Sequence, residues 1–175
     1  MAARRYVVLL WLVSAVVPSS SFDQVPGCYV KPCIPGWVLY RDQCYRVTPQ
    51  KLPFNEAETY CQGFANRNGK AHLASVHDEQ ENDFIVELAS SAGIAGKDGW
   101  VWIGLTDQIV EGSFAWTDGT ALSYVNWLPG APSDGDYTAV RPMDKQWNDG
   151  YGNKRAMCKM PSFDFKGRVL KACIG

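Results

Sequence analysis

The chain has 175 residues, enough for one ordinary domain and cramped for two. Hydrophobic residues make up 46% and charged residues 20%, so the apolar surface can offset chain entropy and a wholly disordered chain is excluded. Lys and Arg total 17 against 18 Asp and Glu, a formal charge of -1, which lacks the basic excess that nucleic-acid phosphates demand.

At the start of the chain, Arg4 and Arg5 precede an apolar run from Tyr6 to Val17. The run suits a signal-peptide core better than a buried N-terminal helix, and it falls short of the ~20 residues that cross a bilayer. With small residues at Ser19 and Ser21 before Phe22, residues 1–21 are read as a cleaved signal peptide. Losing its two arginines leaves 15 basic against 18 acidic residues, a charge of -3. No second apolar run approaches spanning length, so the product is expected to be secreted and extracellular, with no membrane span. Residues 22–32 form a lead-in, 33–161 one domain and 162–175 a tail.

Six cysteines follow the signal: Cys28, Cys33, Cys44, Cys61, Cys158 and Cys173. An even number in an oxidising compartment reads as three bridges, whose pairing the spacing alone leaves open. Zinc is disfavoured, because His72 and His77 lie far from any close cysteine pair.

Helical periodicity appears over Pro53 to Asn66, where Phe54, Ala57, Cys61 and Phe64 recur at three- and four-residue steps. A second helix is expected over Asp78 to Ser90, with Asp78, Glu79 and Glu81 in its first turn and Phe84, Ile85 and Leu88 facing inward. Beyond Gly99, aromatic and β-branched runs cut by Gly, Pro and Asp predict strands at Trp100 to Leu105, Ser113 to Thr117, Leu122 to Trp127, Tyr137 to Arg141 and Arg155 to Met160. Much of Trp127 to Trp147 is too rich in Pro and Gly for regular structure, and it carries three aspartates; long ordered loops of this kind usually serve function.

The order Cys33 to Trp37, Cys44-Tyr45, Phe54 to Cys61, His72 to Val76, Glu81 to Phe84, Trp102 to Leu105, Glu111-Gly112, Trp116 to Gly119, Trp127 and Gly130, Trp147 to Asp149, and Cys158 resembles the C-type lectin domain. The resemblance covers nearly all of Cys33 to Pro161. It implies an α+β fold of two helices with small antiparallel sheets, closed by adjacent terminal strands and crowned by a long ligand-binding loop. It also implies bridges Cys61–Cys158 and Cys33–Cys44. A link from Cys61 to Cys158 would close a loop of about a hundred residues, worth ~4 to 5 kcal/mol in the chain-entropy model. The family's loop bridge is missing, its two positions being Thr138 and Gly152. Its loss predicts greater loop mobility unless calcium or packing supplies the constraint. Cys28 and Cys173 lie outside the pattern and either pair within the chain, giving a monomer, or link two chains into a dimer.

The resemblance further implies calcium, which takes ~6 to 8 oxygen ligands. Asn148 and Asp149 match family ligands of a sugar-binding ion, with Asp136 one methylene short of the usual glutamate. The remaining triplet reads Ala131-Pro132-Ser133, matching neither the mannose-type nor the galactose-type motif. Lost charge-assisted bonds of ~1.5 to 3 kcal/mol each would weaken monosaccharide binding by one to several decades. A second ion is implied at Asp107 and Glu111, with Asp134 and Asp136 approaching from the loop, although Asn148, Asp149 and the Ser133 to Asp136 run also suit plain turns.

Trp102, Trp116, Trp127 and Trp147 are expected in the core, His72 is expected to pack, and His77 to end a strand at a helix start. No nucleophile elbow accompanies His77 and Asp78, so an enzyme is not expected. The expected function is a secreted C-type-lectin-like recognition protein binding carbohydrate or a glycoprotein with calcium, at low or atypical specificity, through Ser133, Asp136, Asn148 and Asp149. The alternative is a calcium-independent protein-binding or mineral-associated module on the same fold.

Overall fold

Arg41 takes a positive φ of 53° and turns β1 (Val38–Tyr40) back onto β2 (Gln43–Val47) as an antiparallel hairpin. The computed structural model of the chain describes residues 32–163. The proposed signal peptide, most of the lead-in and tail, and Cys28 and Cys173 lie outside the described residues.

Helix α1 (Phe54–Gln62) starts after Pro53 and buries Phe54, Ala57 and Cys61. It ends four residues before the expected Asn66. There the Asn66 side chain accepts from the backbone N–H groups of Asn68 and Gly69, a local turn that competes with helix. The chain instead forms a short hairpin of β3 (Ala65–Asn66) and β4 (Gly69–Lys70), followed by β5 (His72–Leu73). Helix α2 (Glu79–Ser91) is capped by Asp78, whose carboxylate accepts from the Glu81 N–H at 2.8 Å. At its other end the Arg155 guanidinium donates to the Ala92 carbonyl at 2.7 Å.

The last strand, β10 (Arg155–Pro161), joins the two halves of the sheet. Its C-terminal part pairs antiparallel with β2 and β5, and its first two residues pair parallel with β6 (Val101–Thr106). From β6 the sheet continues antiparallel to β8 (Tyr137–Val140) and then β9 (Trp147–Gly150), while β7 (Ala115–Trp116) also pairs with β6. Val101 to Leu105 are buried, as a strand covered on both faces should be.

Three expected strands therefore form nearly as read, and Ser113 to Thr117 shrinks to two residues. The strand expected at Leu122 to Trp127 does not form. Leu122 and Val125 are exposed, and only Trp127 makes a bridge, to Trp147, while Tyr124 and Trp127 pack on the Trp147 ring. Tertiary packing of two aromatic rings overrides the strand propensity of the run. The β1–β2 hairpin and β9 are additional to the expected strands.

Bridges Cys33–Cys44 and Cys61–Cys158 are both formed, the first tying the segment before β1 to β2 and the second tying α1 to the last strand. Trp102, Trp116 and Trp147 are buried, and Trp127 packs against the cluster that holds Trp116 and Trp147. Beneath the helices, Glu81 and Lys159 make a buried ion pair at 2.6 Å, and the Tyr45 hydroxyl donates to the same carboxylate. Lys159 also donates to Ser75, which donates to Asp118. No helix among the described residues is long and apolar enough to cross a membrane.

Candidate functional site

The long loop leaves the core at Trp127 and returns at Tyr137. Its stem is held by Trp147, whose indole donates to the buried Asn82 side chain at 2.8 Å, and whose backbone bonds to Asn126 and Leu128 on either side of Trp127. Strand β9 then carries Asn148 and Asp149. Successive strand residues face opposite sides, so Asp149 shares the buried face of Trp147 and Asn148 turns the other way.

The Asp149 carboxylate is engaged inside the protein. It accepts from the Ser133 N–H at 2.9 Å, the Ser133 hydroxyl at 3.0 Å and the Gly135 N–H at 2.7 Å. Burial would raise its pKa, but these donors outweigh burial and hold the carboxyl below the usual carboxylate range. The contact needs a glycine at 135. A Cβ there would lie 2.4 Å from the Gly150 nitrogen, so only glycine lets the loop backbone come this close. The Ala131–Pro132 peptide preceding Ser133 is cis.

Asn148 donates its amide to the Asp149 carbonyl at 2.8 Å. Asp136 accepts from the Tyr151 hydroxyl at 3.3 Å, and the same hydroxyl donates to the Asp134 carbonyl at 2.9 Å. The side chains of Asp136, Asn148 and Asp149 are thus each bound to a different protein partner. These residues do not fit the sugar-bridging ion that the family resemblance implies: Asp149 is surrounded by N–H and O–H donors, Ala131 offers no ligand, and Asn148 is turned across its own strand.

The second acidic group lies at the end of β6. Asp107 is buried, and one carboxylate oxygen accepts from the Gly112 N–H at 2.9 Å while the other has no hydrogen-bond partner. Its backbone N–H bonds to the Asp136 carbonyl at 3.3 Å, bringing the loop alongside. The exposed Glu111 has its pKa raised, first by the Asp107 charge, then by desolvation and by Asp136, Asp134 and Asp149. Glu111 therefore senses four other acids, yet among the described residues no three His, Cys, Asp or Glu side chains gather tightly enough to hold a metal ion. The orphaned Asp107 oxygen fits a cation better than any other group of the loop face, because a buried anionic acceptor without a partner is costly.

Sequence reasoning passed over Gly135 and Tyr151. Each looked like an ordinary loop residue, and their roles depend on which strand lies opposite. His72 does more than pack, since its Nδ1 lies 2.7 Å from Glu58, and His77 packs edge-on to Trp116.

A family model described as the lectin C-type domain matches residues 50–160. The chain is 33% identical over 150 residues to the alpha-N-acetylgalactosamine-specific lectin of Patiria pectinifera, covering 82% of this chain and 85% of that protein. Among solved structures it is similar to the C-type lectin CEL-I of Cucumaria echinata, with a TM-score of 0.67, 30% identity, and coverage of 74% and 97% of the two chains. It is also similar to a calcium-independent type II antifreeze protein, with a TM-score of 0.63, 28% identity, and coverage of 75% and 95%.

Proposed function

Because the chain belongs to the C-type lectin domain family, we propose that it is an extracellular recognition protein that binds carbohydrate at its long-loop face, with low or atypical specificity and without a calcium ion at Asp149. One observation carries the calcium-free part: three donors from Ser133 and Gly135 occupy the Asp149 carboxylate. A carboxylate so neutralised has little attraction left for a cation, and the donors that surround it would repel one. Lectin relatives support the carbohydrate class, and the calcium-independent antifreeze neighbour supports a member of this fold that works without the ion. The leading segment of residues 1–21 and the two bridges support an extracellular location for the domain at 33–161.

A glycan array run once with calcium and once with EGTA tests this reading. Glycans retained equally in both conditions support it, and retention lost in EGTA overturns the calcium-free part. Silence on every glycan overturns the carbohydrate assignment.

The unpartnered Asp107 oxygen favours a second reading for calcium, as a brace and not a sugar bridge. Asp107 would anchor the ion and Glu111, Asp134 and Asp136 would have to draw in around it, the ion supplying positive charge to offset their repulsion. A calcium-dependent rise in melting temperature that disappears in Asp107→Asn, with glycan retention unchanged, is the expected result.

A further inference from the structure

Two adjoining cavities of about 530 and 280 Å³ open beside the exposed side of β9, and Trp100, Tyr151 and Lys154 line both. We propose that this paired groove binds an acidic sugar, with Lys154 as the cation for its carboxylate; the proposal rests on the carbohydrate reading above and deepens it by naming the ligand class.

The size is right for a sugar unit, since small-molecule sites span ~300 to 1,000 Å³. Its walls are aromatic and held in place. The Arg141 guanidinium stacks on the Trp100 ring at 4.9 Å, and the Tyr151 hydroxyl is tied to the Asp134 carbonyl and Asp136. Tyr151 is nonetheless 58% exposed, so its ring stands open to a ligand, as aromatic faces that take the apolar side of a sugar must. Asn148 lines the smaller cavity and spends its amide N–H on the Asp149 carbonyl, leaving its oxygen for a hydroxyl.

The charge selects an acid. Lys51, Lys154 and Arg155 line the larger cavity against Asp98 alone, in a chain whose formal charge is -1. Arg155 is committed to the Thr48 and Ala92 carbonyls. Lys154 instead donates to the Tyr151 carbonyl at 2.6 Å and lies 3.7 Å from the centre of the buried Trp102 ring, with no ion-pair partner among the described residues. Burial without a counter-charge pushes its pKa down to about 8. The face of Trp102 favours the ammonium and works against that shift. An anionic ligand would supply the missing partner and raise the pKa again.

NMR titration of the folded protein with sodium glucuronate, with glucose and with sodium sulfate tests the groove. The expected result is saturable movement of the Trp100 indole N–H and the Asn148 side-chain amide with glucuronate, at an affinity at least about tenfold above that for glucose, the worth of one charge-assisted bond. Lys154→Gln should lose about tenfold, and the exposed Lys51→Gln far less. A Trp100→Ala variant provides the second check, since it removes the wall and leaves the charge. Affinity should also fall as pH rises past about 8, with Lys51, Asp98, Tyr151, Arg155 and, in the smaller cavity, Asp149 the other ionisable groups lining the groove. Sulfate binding as tightly as glucuronate, without movement at Trp100, would overturn the sugar assignment in favour of a simple anion site. Unchanged glucuronate affinity in a folded Lys154→Gln protein that still retains glycans on an array overturns the groove and leaves the lectin reading standing; failure of the unsubstituted protein to bind any glycan, glucuronate included, overturns both.

Discussion

The two ends of this domain are stabilised by different means. At the base, one covalent bridge joins α1 to β10, another fastens the segment before β1 to β2, and a buried ion pair between Glu81 and Lys159 locks α2 onto β10. At the top, the positions that would carry the family's loop bridge are Thr138 and Gly152, and the long loop is held by hydrogen bonds to the Asp149 carboxylate, from the Tyr151 hydroxyl and from the Asp107 N–H, together with a glycine-only approach of two backbones. The base resists disruption through chain connectivity and low dielectric. The loop depends on hydrogen bonds at the margin of water, each worth far less, and so the ligand face can change sequence while the scaffold beneath it stays intact.

Removing a base element should therefore have the largest effect. Replacing Cys61 and Cys158 together by Ser opens a link with a sequence separation of 97, and urea unfolding should show a loss of ~4 to 5 kcal/mol. Lys159→Met leaves the Glu81 carboxylate buried without its cation and should cost ~3 to 5 kcal/mol by the same measurement. Adding Glu81→Leu should recover much of that loss, because a buried pair is often replaceable by apolar packing.

Changes at the top should be smaller and confined to the loop. Asp149→Asn keeps the shape but removes the charge from three hydrogen bonds, with an expected loss of ~2 to 3 kcal/mol and faster amide exchange at Ser133 and Gly135. If exchange accelerated equally across β2 and β10, the two regions would form one cooperative unit and the contrast would fail.

The smallest effect is a titration. The folded pKa of Asp149 is depressed, so its contribution is complete above the unfolded value of ~3.9 and fades as pH falls through the lower folded value. The Ser133 and Gly135 amide resonances should titrate together with a midpoint below ~3.9. A midpoint at or above that value would mean that the donors do not stabilise the charged form.

Much of the base was legible in the sequence. The helix at Asp78 was announced by acids in its first turn and by apolar residues at helical spacing, and the strands at 101–106, 137–140 and 155–161 by β-branched and aromatic runs between breakers. Leu122 to Trp127 misled because alternation records which residues are apolar without recording whether a neighbouring strand is free to pair. The loop face was legible only as a set of acids. Glu111 does sense Asp107 and the loop aspartates, but the partners of Asp149, the tether from Tyr151 and the groove around Lys154 join residues whose separation in sequence carries no periodic signal.

Local regularities in the order of residues determined the two helices, the longer strands, the family resemblance and the missing sugar-motif acids, since each is a pattern of neighbours along the chain. Which oxygen faces which donor was decided by the packing of β9 against the loop. A carboxylate takes its character from the groups within about 3 Å of it, and those groups are brought there by the folded backbone.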